Sequence, residues 1–248
     1  MTIRIHTRLS HTLLVISLGV TPRGTPAQSA GHIAAFDGLS LSPIGALSPV
    51  ARAPGELAAG STDMSIRYGR WRYDADDAVH DTFGLTWARG LAFWKSRLEI
   101  TAGYALIECP TCTGSAIGSV DLESRLWEHG VPDDTHNPVR TGLNVRLSLG
   151  GGKTTGADHT TAGSAAITVP LDVAVPLGRS ALVALSVQPG VGYGHIASVD
   201  FGNGGLLPMF GAAVSLRAAR MGMHVGMQRL IIDGGPTLIG AAFSWRLR

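Results

Sequence analysis

Along much of this sequence the side chains switch between apolar and polar at every step, and a period of two admits few folds. In Ile167-Thr168-Val169-Pro170-Leu171-Asp172-Val173, Ile167, Val169, Leu171 and Val173 share one parity, and Thr168, Pro170 and Asp172 share the other. A strand sends consecutive side chains to opposite faces, so such a segment has one apolar and one polar face. Ten segments read this way: 63–73, 81–92, 96–107, 116–127, 141–150, 165–175, 181–194, 207–217, 220–231 and 236–247. Most are close to the about 9–11 residues that a tilted strand needs to cross the hydrocarbon of a bilayer.

Composition narrows the choice. Only 15% of the 248 residues are charged, and 33 are glycine, which does not suit a helical enzyme. The 45% hydrophobic content argues against a disordered chain. A net charge of +2 makes no electrostatic case for nucleic acid as a partner. No apolar run approaches the roughly 20 residues of a membrane-spanning helix, so a chain like this crosses a bilayer as strands.

The amino terminus carries the pattern of an export signal. Arg4, His6, Arg8 and His11 form a basic region, Leu13 to Val20 an apolar core, and Ala27-Gln28-Ser29 a small-residue cleavage site. The expected organisation is a leader over 1–30, an irregular Ala/Gly/Ser/Pro-rich segment over 31–62, and a β-barrel domain over 63–248. Cys109 and Cys112 are the two cysteines. In an exported protein their expected role is a small disulfide at a loop tip.

The polar parity bears charges of both signs: Arg97, Glu99, Asp121, Glu123, Arg125, Arg146 and Asp172. These strands hold very few Lys. A solvated outer surface carries more charge and more Lys, whereas a confined lumen favours Arg paired with carboxylates. The tryptophans Trp71, Trp87, Trp94, Trp127 and Trp245 fall near strand ends, where the aromatic girdles of membrane barrels form. In the first strand Arg70 and Arg72 continue the parity of Met64, Ile66 and Tyr68. A bulge at Gly69 would swap the faces and put Trp71 outside.

The connections alternate between short, as at Gly178-Arg179-Ser180 and Ala218-Ala219, and long, as from Gly151 to Ser164 and from His195 to Leu206. Short turns at one end and long loops at the other are the habit of outer-membrane barrels. The stretch from Glu128 to Arg140 is an exception, being long where a short turn is expected.

On these strands, and on the closing Ile239-Gly240-Ala241-Ala242-Phe243-Ser244-Trp245-Arg246-Leu247-Arg248, the chain from about residue 63 onward resembles the bacterial outer-membrane β-barrel superfamily. The resemblance implies an all-β fold, an antiparallel up-and-down transmembrane barrel of about ten strands. It also implies two partners, outer-membrane lipid and the barrel-assembly machinery, and brings no catalytic residues. Members of that superfamily usually end in an aromatic residue; this chain ends in Arg248, three residues after Trp245.

Chemical motifs are sparse. Gly150-Gly151-Gly152-Lys153-Thr154 has part of a phosphate-binding loop, but position 147 is Leu147 and no helical pattern follows. Asp76, Asp77 and His80, and Asp133, Asp134 and His136, are acid–His groups in connections, where such residues are ordinary turn formers. No cofactor and no metal site is expected. The expected function is that of a non-enzymatic outer-membrane barrel, structural or surface-binding through its loops, with a lumen plugged by side chains. A narrow solute channel, a rim enzyme acting on lipid or peptide, and a soluble periplasmic barrel with an apolar ligand inside are the alternatives.

Overall fold

The computed structural model of the chain describes residues 51, 59–72, 79–107, 114–130, 139–154, 161–178, 180–197, 202–232 and 237–247. Eleven strand segments follow one another: β1 (Thr62–Arg72), β2 (Val79–Gly90), β3 (Arg97–Ile107), β4 (Ser115–His129), β5 (Arg140–Thr154), β6 (Thr161–Thr168), β7 (Leu171–Leu177), β8 (Ala181–Ala197), β9 (Gly202–Ala218), β10 (Met221–Leu230) and β11 (Thr237–Leu247). Each pairs antiparallel with its neighbours, and β1 pairs with β11, from Thr62↔Leu247 to Arg72↔Thr237. The sheet is therefore closed and has no free edge. Carried round the ring, the registers advance by about twelve residues per circuit, a shear that fits the strand tilt of ordinary barrels.

β6 and β7 are two halves of one stave, so the barrel has ten staves, as the alternation predicts. Both halves lie between β5 and β8 in a single register. The break falls at Val169 and Pro170 because proline has no N–H to give the ladder. Its carbonyl still accepts from the Asn144 N–H at 2.9 Å, and the Val169 N–H donates to Pro189 O at 2.9 Å. The alternation runs through the break undisturbed.

The two parities face as membrane barrels face. Leu171 is 42% exposed while its neighbour Asp172 is 1% exposed. The same contrast recurs around the ring: Ile66, Leu85, Ile100, Val120, Leu122, Leu147, Leu149, Leu185, Val214, Val225 and Ile239 point outward, and Ser65, Thr86, Thr101, Ser119, Ser148, Ser186, Ser215 and Ser244 point inward. A soluble barrel would bury its apolar parity; this one exposes it on every stave, which suits a hydrocarbon solvent. Leu171→Lys should consequently cost about 2–4 kcal/mol near the midplane. Asp172→Asn keeps the shape of an inward side chain and should cost about 1 kcal/mol. Reversible unfolding in detergent or lipid measures both, and equal costs would contradict the facing.

Aromatic side chains mark both borders of the apolar band. At the end that holds Thr62 and Leu247 (the terminal end) stand Trp87, Trp127 and Trp245, with Phe93 and Trp94 stacked at 4.7 Å in the β2–β3 turn. Towards the opposite, loop end stand Tyr68 and Phe83, 5.2 Å apart, with Tyr104 and Tyr193. Trp71 does not belong to either group. β1 pairs without a bulge along its whole length, so the parity swap that a bulge at Gly69 would cause does not occur, and Trp71 points inward with no exposure. Arg70 stays outward because Asp81 of β2 meets it there: Nε lies 3.1 Å from Oδ1, and the Tyr68 hydroxyl donates to the same oxygen at 2.6 Å.

Several connections are shorter than expected because their flanks are strand. β5 continues to Thr154 and β6 begins at Thr161, while β8 continues to Ala197 and β9 begins at Gly202. Gly, Ala and Thr dominate these extensions, so they show no alternation, yet their backbone groups still find partners by pairing. The Gly150–Thr154 run lies wholly in β5, which removes the loop-to-helix turn that phosphate binding needs. The fourth connection is likewise trimmed, since β4 reaches His129 and β5 starts at Arg140. A bulge between Arg125 and Trp127 keeps Trp127 outward.

Candidate functional site in the barrel lumen

The inward positions of β1, β3, β4 and β5 converge on one carboxylate. Glu99 on β3 has 1% exposure and receives three arginines. Arg97 approaches Oε1 through Nη2 at 2.7 Å and Nε at 2.9 Å. Arg146 from β5 reaches Oε2 at 2.8 Å, and Arg67 from β1 reaches the same oxygen at 3.3 Å. The register explains why so much positive charge gathers there. Glu99 stands directly opposite Asp121 on β4, and like charges in that position repel. Arg146 resolves the conflict by bridging them, with its Nε 3.3 Å from Asp121 Oδ1. Ser148 and Ser119 donate to Asp121 as well. Glu123 lies between Arg97 and Arg146 in the cross-strand register.

Two further groups lie nearer the terminal end. Asn144 connects Arg125 to Asp172: the Arg125 Nε donates to its Oδ1 at 3.1 Å, and its Nδ2 donates to Asp172 Oδ2 at 2.6 Å. Arg125 also pairs with Glu128 at 2.9 Å. On the other side of the closure, Asp63 of β1 holds Arg217 of β9 at 2.9 Å and Arg246 of β11 at 3.1 Å. Asp63–Arg217, like Arg67–Glu99 and Arg146–Glu99, joins staves that are not neighbours, which only a shared interior allows.

All seven charges singled out from the sequence take inward positions. Arg97, Glu99, Asp121, Glu123 and Arg146 fall in the first group, and Arg125 and Asp172 in the second. Asp63, Arg67, Arg217 and Arg246 complete the network and were not among them. For Asp63 and Arg67 the signal was present, because they alternate with Met64, Ile66 and Tyr68. The outward Arg70 and Arg72 obscured it.

Beyond the charges the lumen changes character. Towards the loop end, Trp71, Ala166, Leu207, Met209, Leu230 and Leu238 form one buried apolar cluster against which Ile232 packs. A lumen-facing layer of this kind is absent from the expectation of a polar interior. Sequence parity alone hides it, because Leu230 and Leu238 follow or precede residues that are also apolar. On β8 to β11 the inward positions include Gly192, Gly211, Gly226, Gly240, Ala184, Ala213 and Ala242. His224 is also inward, its ring Nε2 2.9 Å from Ser244 Oγ.

The remaining sequence candidates have no described side chains. Cys109, Cys112, Asp76, Asp77, Asp133, Asp134 and His136 lie outside the described residues, and His80 is placed only by its backbone in β2. Among the described residues no cluster of His, Cys, Asp and Glu suits a metal ion.

No protein-family model and no curated protein matches this chain. Among solved structures, the translocator domain of the autotransporter NalP from Neisseria meningitidis is similar at 10% identity and a TM-score of 0.48, over 89% of this chain and 96% of that one. The β-domain of the Bordetella autotransporter Brka is similar at 11% identity and 0.43, over 76% of this chain and 99% of that one. Neisserial surface protein A is similar at 11% identity and 0.36, over 77% of this chain and 98% of that one. The likeness is one of barrel architecture, and the fold stands on the pairing and facing of this chain's own strands.

Proposed function

We propose that this chain is an outer-membrane protein, exported by a cleaved leader, whose lumen is closed by its own side chains. It acts without catalysis, as a structural or surface-binding element at the loop end. Its partners are outer-membrane lipid and the barrel-assembly machinery. The observation that carries the reading is the Arg67–Glu99–Arg146 crossing, which ties β1, β3 and β5 through the interior. The apolar cluster around Trp71 adds a second barrier on the loop side. In a barrel of about ten strands the interior is narrow enough for side chains to fill it.

The surface part of the reading rests on the β8–β9 hairpin. Each of its strands has 17 residues, well beyond the about 9–11 that cross hydrocarbon. The β9–β10 turn at the terminal end is only Ala219–Arg220, so the excess length rises at the loop end. The Gly and Ala positions of β8–β11 favour a second reading, a narrow path for small solutes along that wall. One measurement separates the two. The purified chain in planar bilayers should give no stable conductance, and steady single-channel steps would establish the channel instead.

A further inference from the structure

Three arginines face outward on adjacent staves at the loop end: Arg70 and Arg72 on β1 and Arg229 on β10, all exposed. In the register Arg72 and Arg229 stand opposite Thr237 from either side of β11, and Arg70 stands opposite Ile239. With neighbouring strands about 4.8 Å apart, the Cα atoms of Arg72 and Arg229 are about 10 Å apart, with Thr237 between them. The shear sets their height. From β1 to β11 to β10 a register row sinks by about 3 Å per stave, so Arg229 stands about level with Arg70 and below Arg72. The same slope lifts Tyr104, two staves from Tyr68 in the other direction, to that level. The arginines therefore sit at the aromatic border of the apolar band, where a lipid-facing charge is tolerated.

Their surroundings differ. Arg70 is held by Asp81 of β2, with Nε 3.1 Å from Oδ1 and Nη2 3.3 Å from Oδ2. Arg229 stands between Phe210 and Thr237 in the register, with Met227 and Ile231 before and after it on the same face. Among the described residues no carboxylate pairs with Arg229. A cation in apolar surroundings at this depth draws an anion from its solvent, and the solvent of this face is lipid.

We propose that Arg72, Thr237 and Arg229, with Arg70 beside them, bind a phosphate group of a membrane lipid in the leaflet at the loop end. Guanidinium groups take phosphate oxygens bidentately, and the Thr237 hydroxyl adds a donor between them. The acyl chains of that lipid lie over Met227, Ile239 and Val225, which are exposed below the arginines. The inference places the lipid partner of the outer-membrane reading on the barrel and rests on that reading.

Titration of the whole chain in neutral detergent, followed by native mass spectrometry, tests the site with two probes: bisphosphorylated lipid A and the same lipid stripped of its phosphates. The phosphorylated probe should bind at least about tenfold more tightly. Arg72→Gln combined with Arg229→Gln should remove that preference, whereas Lys153→Gln, on β5 across the ring, should leave it intact. Asp81→Asn releases Arg70 from its carboxylate and should strengthen the preference, a gain that a damaged barrel would not show. Heat-dependent gel mobility verifies that each variant is folded. Equal affinity for the two probes, or a preference that survives the double change, overturns the site. Displacement of the lipid by inorganic phosphate at equal concentration would make it a site for a free anion and also overturns it. Fractionation separates this failure from that of the wider reading. A chain in the soluble periplasm overturns both, while a chain in the outer membrane with no phosphate preference overturns the site alone.

Discussion

Glu99→Ala should lower the stability of the folded barrel by about 3–5 kcal/mol, because it strips a buried network of the carboxylate on which three guanidinium groups converge. Arg67, Arg97 and Arg146 would then face one another, with Asp121 and Glu123 as the carboxylates beside them in the register. The cost arises from stranded charge more than from lost attraction, so its sign of recovery is specific. Adding Arg146→Gln to Glu99→Ala removes a partner along with the anchor and should return part of the loss, whereas the two changes would simply add if the residues were independent. Reversible unfolding in detergent micelles measures both variants. A cost below about 1 kcal/mol for Glu99→Ala would mean that the network behaves as a solvated surface cluster.

Trp71→Ala should cost a similar amount, about 3–5 kcal/mol, for a different reason. The indole is the largest fully buried side chain among the described residues, and it packs with Leu207, Met209, Leu230 and Leu238. No other inward side chain in that cluster is large enough to fill the space it leaves. Trp94, 72% exposed in the β2–β3 turn, is the natural comparison. Its replacement by alanine should cost clearly less, because it leaves no buried cavity. Similar losses at the two tryptophans in a lipid-based unfolding assay would remove the apolar layer from the account of the lumen.

The outer surface was legible in the sequence because lipid makes one uniform demand. Leu98, Ile100, Ala102, Tyr104 and Leu106 on β3, or Leu143, Val145, Leu147 and Leu149 on β5, can be assigned to one face with no knowledge of their neighbours. The interior makes several demands at once, so parity reads it less completely. Trp71 is apolar and inward, and an alternation rule that expects a polar lumen moves it outside. Arg70 is charged and outward, which parity cannot anticipate without Asp81 on the next strand. The extensions 151–154 and 202–205 escape for a third reason: they are rich in Gly, which has no side chain to declare a face. The charges Arg97, Glu99, Asp121, Glu123 and Arg146 could be named from the sequence, but their convergence depends on registers between strands. Nothing along the chain announces that Glu99 and Asp121 stand opposite each other.

That opposition bears on how the barrel comes together. A hairpin of β3 and β4 alone places two carboxylates side by side on one face. Its own Arg97 can neutralise only part of that charge. Arg146 arrives with β5, and Arg67 arrives from β1 across β2. A partly assembled sheet thus carries a repulsion that is relieved only as the flanking staves are added, so intermediates of a few strands are penalised relative to the finished ring. A pair of acids that weakens its own hairpin can in this way make assembly more nearly all-or-none.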